Sequence, residues 1–468
     1  MGSSVVDDAE TRAPMVDAGK HHRQIRLIAN RLLSKRFESA NDLWKLQVDL
    51  LKIQRDIQGA ISEAKAESAR NIDRKRLEEL RDARWHARHF GDALAWLVLG
   101  QDRQLISSLS ENSRVPISED GDGSVGMLAM AEALSRQGWG FPILHDITDT
   151  LRIGDITFAR PRQTPSHVTA EIKTQVIDTV PADPTGRKKK TYQSQVLTMV
   201  GIDPQTGEAI AELQVPPPPP PSPPRSRLER QAVRMREAVI KGSAGHGIIT
   251  DTQEPILNMH VETAATDHWP VVRRLIREAH RTNFASQCVD KAFLYIVVYE
   301  EGGWSKETFA DSRFLQDVKE TEFLQNQNKD ETSVVVHTIP RAKGTEAEIA
   351  LPYFLFPISR RAVFEILNHE LALVVLVNQG HICDALRASG MEIEVRPQVD
   401  GPGEIVIIDR FESPTGVPLV GEVHTMWHTI RDAVREFRSV PYLLDIVAGM
   451  VEGMREHASQ IVPGNGSS

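Results

Sequence analysis

The sequence predicts a mixed α/β (α+β) protein built from more than one structural unit, on three observations. The chain has 468 residues, 40% hydrophobic and 25% charged, which is long for one ordinary domain and normal in composition for a folded one. Its apolar residues recur with helical period until "SVGMLAMAEALSRQ" and then with period two from "FPILHDIT" onward, a change from helix faces to strand faces. After residue 334, strand-like and helix-like segments alternate up to residue 460, as in an α/β or α+β region.

Residues 1–19 are polar and aperiodic, which predicts a disordered tail, as do residues 461–468. The start of the chain has no apolar stretch of the kind a secretory signal needs. No run approaches the roughly 18 apolar residues that cross a bilayer, so no membrane is expected. The two cysteines, Cys288 and Cys383, argue for a reducing compartment and a cytoplasmic protein.

Residues 20–84 read as a helical arm. Leu43, Leu46, Leu50, Ile53, Ile57 and Ala60 follow a 3-4-3-4-3 spacing, a heptad seam. An intramolecular helical hairpin would bury that stripe, and self-association through the arm would bury it as well. The apolar helix "WHARHFGDALAWLVLG" follows, then a polar loop, then "SVGMLAMAEALSRQ", stopped by Gly138 and Gly140. Strands are expected in "FPILHDIT", "LRIGDITFAR" and "HVTAEIKTQVIDTV". Residues 174–215 add further strands, and "PPPPPPSPP" (216–224) is a polyproline spacer of roughly 28 Å at about 3.1 Å per residue. "SRLERQAVRMREAVIKG" and "WPVVRRLIREAHRTN" read as helices, "KAFLYIVVYEEG" as a buried strand and 301–333 as a linker. The region 334–460 closes with two helices from about 421, where His424 and His428 would stand one helical turn apart.

The net charge of −9 speaks against a wholly basic nucleic-acid binder, but it is unevenly spread. Between Lys20 and His89 there are 17 Lys and Arg against 10 Asp and Glu, a local balance of +7, which leaves −16 elsewhere. A surface for phosphates and a solvated helix face both fit that asymmetry.

The charges on two neighbouring strands carry the chemistry. By alternation Ile153, Asp155 and Thr157 share one face of "RIGDITF", and Thr169, Glu171 and Lys173 one face of "VTAEIKT". A hairpin pairing these strands puts Asp155 beside Glu171 and Lys173. Converging carboxylates raise each other's pKa unless a cation sits between them, and carboxylate oxygens with room for water suit Mg²⁺, with Mn²⁺ as a substitute. The backbone carbonyl of Ile172 would face the same rim. Such a centre suits phosphodiester hydrolysis, with Lys173 stabilising developing charge and orienting water. "HDITD" offers Asp146 and Asp149 as other acids, and Arg160 and Arg162 could meet phosphate.

In its order of elements and in "GD…E-I-K", the sequence resembles the PD-(D/E)XK nuclease superfamily. That resemblance covers residues 85–300 and implies a restriction-endonuclease-like mixed sheet flanked by helices. It also implies a Mg²⁺-dependent endonuclease with Asp155 and Glu171 as metal ligands and Lys173 catalytic. Glu132 would be the supporting acid of the first helix, with Asp92 as fallback. Gln231 would be the polar residue of the following helix, with Arg230 and Arg234 orienting phosphate. Lys188, Lys189 and Lys190 in "GRKKKT" form a basic loop that could grip nucleic acid, DNA by preference. Defence against foreign DNA would suit such an enzyme by analogy. The rival expectations are a catalytically inactive nuclease-like binding module and a helical assembly protein. There is no G-x-x-x-x-G-K-S/T loop for an ATPase and no G-x-S-x-G elbow.

Overall fold

A computed structural model describes residues 15–34, 40–68, 74–110, 121–160, 167–180, 189–200, 235, 247–248, 255–256, 267–303, 334–339, 351–396, 404–412, 418–425, 434 and 436–460. It divides into two compact units, Met1–Ala244 and Gly245–Ser468.

The first unit opens with three helices, α1 (Met15–Leu33), α2 (Ala40–Ser68) and α3 (Arg74–Val98). The heptad stripe of α2 is buried inside the chain. Leu46, Leu50 and Ile57 are fully covered, packed with α1 and α3 in a bundle. The intramolecular alternative therefore describes this stripe, with a third helix added. Helix α3 runs unbroken across residue 84, so the arm and the apolar segment after it are one element rather than two.

Helices α4 (Arg103–Ser108) and α5 (Gly121–Arg136) lead into the sheet. Its strands are β1 (Phe141–Leu144), β2 (Ile156–Ala159), β3 (His167–Val180) and β4 (Lys189–Val200). They pair in chain order, each antiparallel to the next. The expected mixed sheet is thus a meander, because tight connections allow only antiparallel neighbours. The strand segment 174–200, expected as an insertion, is the β3–β4 hairpin of this same sheet. The "HDIT" half of the first predicted strand is a single 3₁₀ turn, His145–Ile147.

Gln47 of α2 completes the edge of β1. Its amide nitrogen donates to the Pro142 carbonyl (2.8 Å) and its amide oxygen accepts from the Leu144 N–H (3.0 Å). One heptad on, Gln54 donates to the carbonyls of Ala87 (3.1 Å) and Ile147 (2.8 Å). Both side chains are buried. Gln47→Leu keeps the volume but strands two buried backbone groups, each worth about 1–3 kcal/mol when unsatisfied. The expected loss is about 2 kcal/mol or more, read from urea denaturation of the full chain. An unchanged midpoint would show that the β1 edge does not depend on this amide.

In the second unit, β5 (Gly247–Ile248) and β6 (Pro255–Ile256) form a two-stranded ladder. Helix α6 (Trp269–Thr282) precedes β7 (Phe284–Val289), β8 (Phe293–Tyr299) and β9 (Val334–Ile339). Then come α7 (Arg360–Leu367), β10 (Leu371–Asn378) and α8 (Gln379–Ala388). The sheet order is β7-β8-β10-β9, all antiparallel. The all-apolar run "LALVVLV" is buried because β10 is an inner strand covered on both faces.

Residues 269–299, which the sequence places in the nuclease-like stretch, therefore pair with β10 in the second unit. Residues 301–333 connect strands of one sheet, rather than linking two regions.

A second sheet joins β11 (Glu392–Arg396), β12 (Glu404–Glu412) and β13 (Pro418–Thr425), followed by α9 (Val440–Gln460). The segment from 421 is thus strand before it is helix. His424 stands in β13, paired with Glu404 (3.2 Å) and Glu422 (3.3 Å), and His428 lies outside the described residues. The network of the second unit centres on His268, whose ring meets the Tyr295 hydroxyl (2.6 Å) and Asp290 (3.2 Å). Asp290 also accepts the Val440 N–H (3.0 Å) at the start of α9.

Candidate metal centre

The β2–β3 register runs from Ala159↔His167 to Ile156↔Ala170. The regular register ends there: the Asp155 N–H still bonds to Ala170, so the ladder is interrupted at Asp155, just before Glu171 on the facing strand. Asp155 is not inside β2 as alternation suggests. It stands at the strand's entrance, after Gly154, whose φ of +75° is the left-handed region that glycine adopts without strain. The Asp155 N–H donates to the Ala170 carbonyl (2.9 Å), and its own carbonyl accepts from the His145 N–H (3.0 Å).

In an uninterrupted ladder the Ile172 N–H would meet the Gly154 carbonyl. Here the ring of His145 meets that carbonyl through Nδ1 (3.1 Å). The Ile172 N–H instead donates to Oδ2 of Asp155 (2.6 Å), so the side chain reaches along the ladder toward β3. A Cβ on residue 154 would lie 2.8 Å from the Thr169 methyl and 3.0 Å from the Ala170 oxygen, so glycine is required by space as well as by φ.

The histidine that shapes this turn is itself held. Its Nε2 lies 2.8 Å from the Thr157 hydroxyl, which lies 2.9 Å from that of Thr169. Burial pushes the imidazole down to about 4, so it is neutral near pH 7. Nδ1 then carries the proton toward Gly154, and Nε2 accepts from Thr157.

The carboxyl of Asp155 is pushed up to about 7. Burial is the main cause; the Ile172 hydrogen bond opposes it and the nearby Asp146 charge adds to it. Asp146 is raised too, by burial, against the pull of Arg88, Arg55 and Arg152. Glu171 is half-buried, with Oε2 shielded from solvent. It sits next to a bulge, since Glu171 pairs with Thr198 and Ile172 with Val196. Lys173 is exposed two residues on. The N–H and C=O of a residue in an antiparallel strand point to the same side, so the Ile172 carbonyl faces the Asp155 rim as its N–H does.

The supporting segment "HDITDT" is clasped from α3. Asp92 accepts from the N–H of Asp149 (2.8 Å), the N–H of Thr150 (2.9 Å) and the Thr150 hydroxyl (2.8 Å). Burial and the charge of Asp149 push its carboxyl up to about 7. Arg88 donates to the Thr148 carbonyl (2.5 Å) and pairs with Asp149 (3.2 Å), which also holds Arg152 (2.9 Å). Asp92 thus braces the turn through Oδ1.

Asp155 stands at the entrance of β2, and Glu171 and Lys173 lie in the neighbouring strand β3; Glu132 lies on neither. It is exposed on α5 and pairs with Arg136 at 2.7 Å. Helix α5 packs on the opposite sheet face, where Gly126 meets Thr174 and Ser194. Lys189 and Lys190 lie in β4 opposite Val180 and Thr179, about 27 Å along the strand from Glu171 at about 3.4 Å per residue, so they do not belong to this centre. Gln231, Arg230, Arg234 and Lys188 lie outside the described residues. Sequence reasoning missed His145 and Gly154; the signal was the glycine just before an acid at a strand entrance. No family model, curated protein or solved structure matches the chain.

Proposed function

We propose that this hairpin is the centre of a cytoplasmic, Mg²⁺-dependent nuclease acting on DNA, and that β1–β3 with their helices are a meander form of the restriction-endonuclease-like core. The observation that supports the reading is the bond from the Ile172 N–H to Oδ2 of Asp155 (2.6 Å), which ties this carboxyl to the strand segment that carries Glu171 and Lys173 on either side of Ile172. The donor set fits a hard cation. Two carboxylates and a carbonyl would supply oxygen, and burial together with the Asp146 charge pushes the Asp155 carboxyl up to about 7, which a bound cation would offset. Compatible with this, no helix among the described residues is long and apolar enough to cross a membrane.

Asp155 and Glu171 would hold the ion, with the Ile172 carbonyl beside them. Mg²⁺ bound there would polarise a phosphoryl group and lower the pKa of a bound water. Oδ2 of Asp155 is fixed by the Ile172 N–H, which leaves Oδ1 as its outward ligand. The Lys173 ammonium would orient the attacking water and offset charge on the phosphate.

The test incubates plasmid DNA and single-stranded RNA with the full chain in Mg²⁺, Mn²⁺ or EDTA, beside Lys173→Ala. Cleavage with either metal, none in EDTA, and a loss of about a hundredfold or more in the variant are expected. Equal cleavage by both proteins would overturn the assignment.

A further inference from the structure

Helix α6 turns an arginine face outward. Val272, Leu275, Ile276 and Ala279 are buried, while Arg273, Arg274, Arg277 and Arg281 are exposed. Helix α7 lies alongside in the same direction. Trp269 packs on Phe356 with ring centroids 4.8 Å apart, Arg273 donates to the Pro357 carbonyl (3.3 Å), and His280 meets Glu365 (2.8 Å). The start of α7 adds the exposed Arg360 and Arg361. The acids of these two helices are Glu278 and the buried Glu365, which is engaged by Arg361 and His280. Six arginines against two carboxylates leave +4 on a chain whose net charge is −9.

Three arginines elsewhere in this unit contrast with these. Arg396, Arg410 and Arg455 each pair with a carboxylate, whereas Arg277 and Arg281 have no such pair among the described residues. Arg273, Arg277 and Arg281 repeat every fourth residue and span about 12 Å at about 1.5 Å per residue. That length matches three to four phosphates of one DNA strand, at about 3.4 Å each.

We infer that the α6–α7 face of the second unit is a sequence-independent docking surface for the phosphate backbone of duplex DNA. An anionic membrane is the other polyanion such charge could meet. An interfacial helix inserts large apolar side chains into the bilayer, and the exposed large apolar residues among those described, Leu27, Leu97, Val125 and Val420, lie on neither helix. The inference goes beyond the metal centre, which belongs to the other unit.

The test measures fluorescence anisotropy of a mixed-sequence 30-base-pair duplex with the full chain in EDTA, from 50 to 200 mM salt. Because no cleavage is needed, it stands or falls apart from the nuclease reading. Arg273→Ala, Arg277→Ala and Arg281→Ala combined should weaken binding about tenfold or more. The slope of log affinity against log salt should become shallower by about 0.9 for each phosphate that is no longer neutralised. Arg396→Ala, Arg410→Ala and Arg455→Ala combined remove the same formal charge from ion pairs and should leave the slope unchanged. An unchanged slope in the first triple, equal losses in both, or binding of phosphatidylserine vesicles without binding of the duplex would overturn the proposal.

Discussion

Asparagine in place of Asp155 is expected to abolish most Mg²⁺-dependent cleavage and yet to stabilise the metal-free protein above neutral pH. The two effects have one cause. In the absence of a cation the Asp155 carboxyl is held up to about 7 by burial and by Asp146. The folded state therefore keeps a proton that the unfolded chain, with a carboxyl near 3.8, has released. Stability falls wherever the folded state binds more protons than the unfolded one, so this group's contribution declines as pH rises from about 4 to about 7.

The asparagine side chain carries no charge to desolvate, and its amide oxygen can still accept the Ile172 N–H. Asp155→Asn should melt higher than wild type at pH 8 in EDTA and match it more closely near pH 4. Saturating Mg²⁺ should reverse the order: ion at a hundred times its Kd adds about 2.7 kcal/mol to a protein that binds it only when folded. Losing a metal ligand should cost about a thousandfold in rate, equivalent to about 4 kcal/mol of transition-state stabilisation. Calorimetric scans at both pH values, with and without Mg²⁺, read one half and plasmid cleavage the other. A variant that melts below wild type in EDTA at pH 8 would mean that the charge of Asp155 is already compensated, and the case for a cation there would fail.

How much of this is legible in the sequence depends on how local each determinant is. The helix stripes of α2 and α6 and the apolar run of β10 follow from periodicity, because each element's own residues decide which side it buries. The pairing of β2 with β3 is legible because a short hairpin joins two segments of strand-like alternation. The direction of the Asp155 side chain is not, because it depends on His145 removing the Gly154 carbonyl from the ladder.

Non-local pairing is the main loss. Nothing around "KAFLYIVVY" announces that its partner is "LALVVLV" about 70 residues on, so the sequence groups α6, β7 and β8 with the wrong unit. Gln47 and Gln54 are invisible for a different reason. Glutamine is mostly a surface residue, and only the bare backbone of β1 and of the 3₁₀ turn makes it a core residue here.

Gly91 and Gly59 should respond to alanine with opposite sign, and the contrast tests how the metal hairpin is supported. Gly59 is exposed inside α2 with nothing within 4 Å of a Cβ. Gly59→Ala there removes backbone freedom from the unfolded chain and should stabilise by about 0.5–1 kcal/mol. At Gly91 a Cβ would stand 1.8 Å from the Ile147 oxygen and 2.6 Å from its carbonyl carbon. Backbone cannot swing aside as a flexible side chain can, so α3 and the turn must separate. Arg88 and Asp92, on the same helix turn as Gly91, hold Thr148, Asp149 and Thr150, and these bonds stretch with any separation. Gly91→Ala should therefore cost about 3 kcal/mol or more, the sum of overpacking and buried polar groups left unpaired. Ile147 lies two residues from His145, so the displacement should also loosen the Gly154–Asp155 turn, and cleavage by the residual folded protein should fall with stability. Urea midpoints of the two variants read the sign directly. Two shifts in the same direction would show that α3 can move off the turn at little cost, and that the close approach at Gly91 does not support the hairpin.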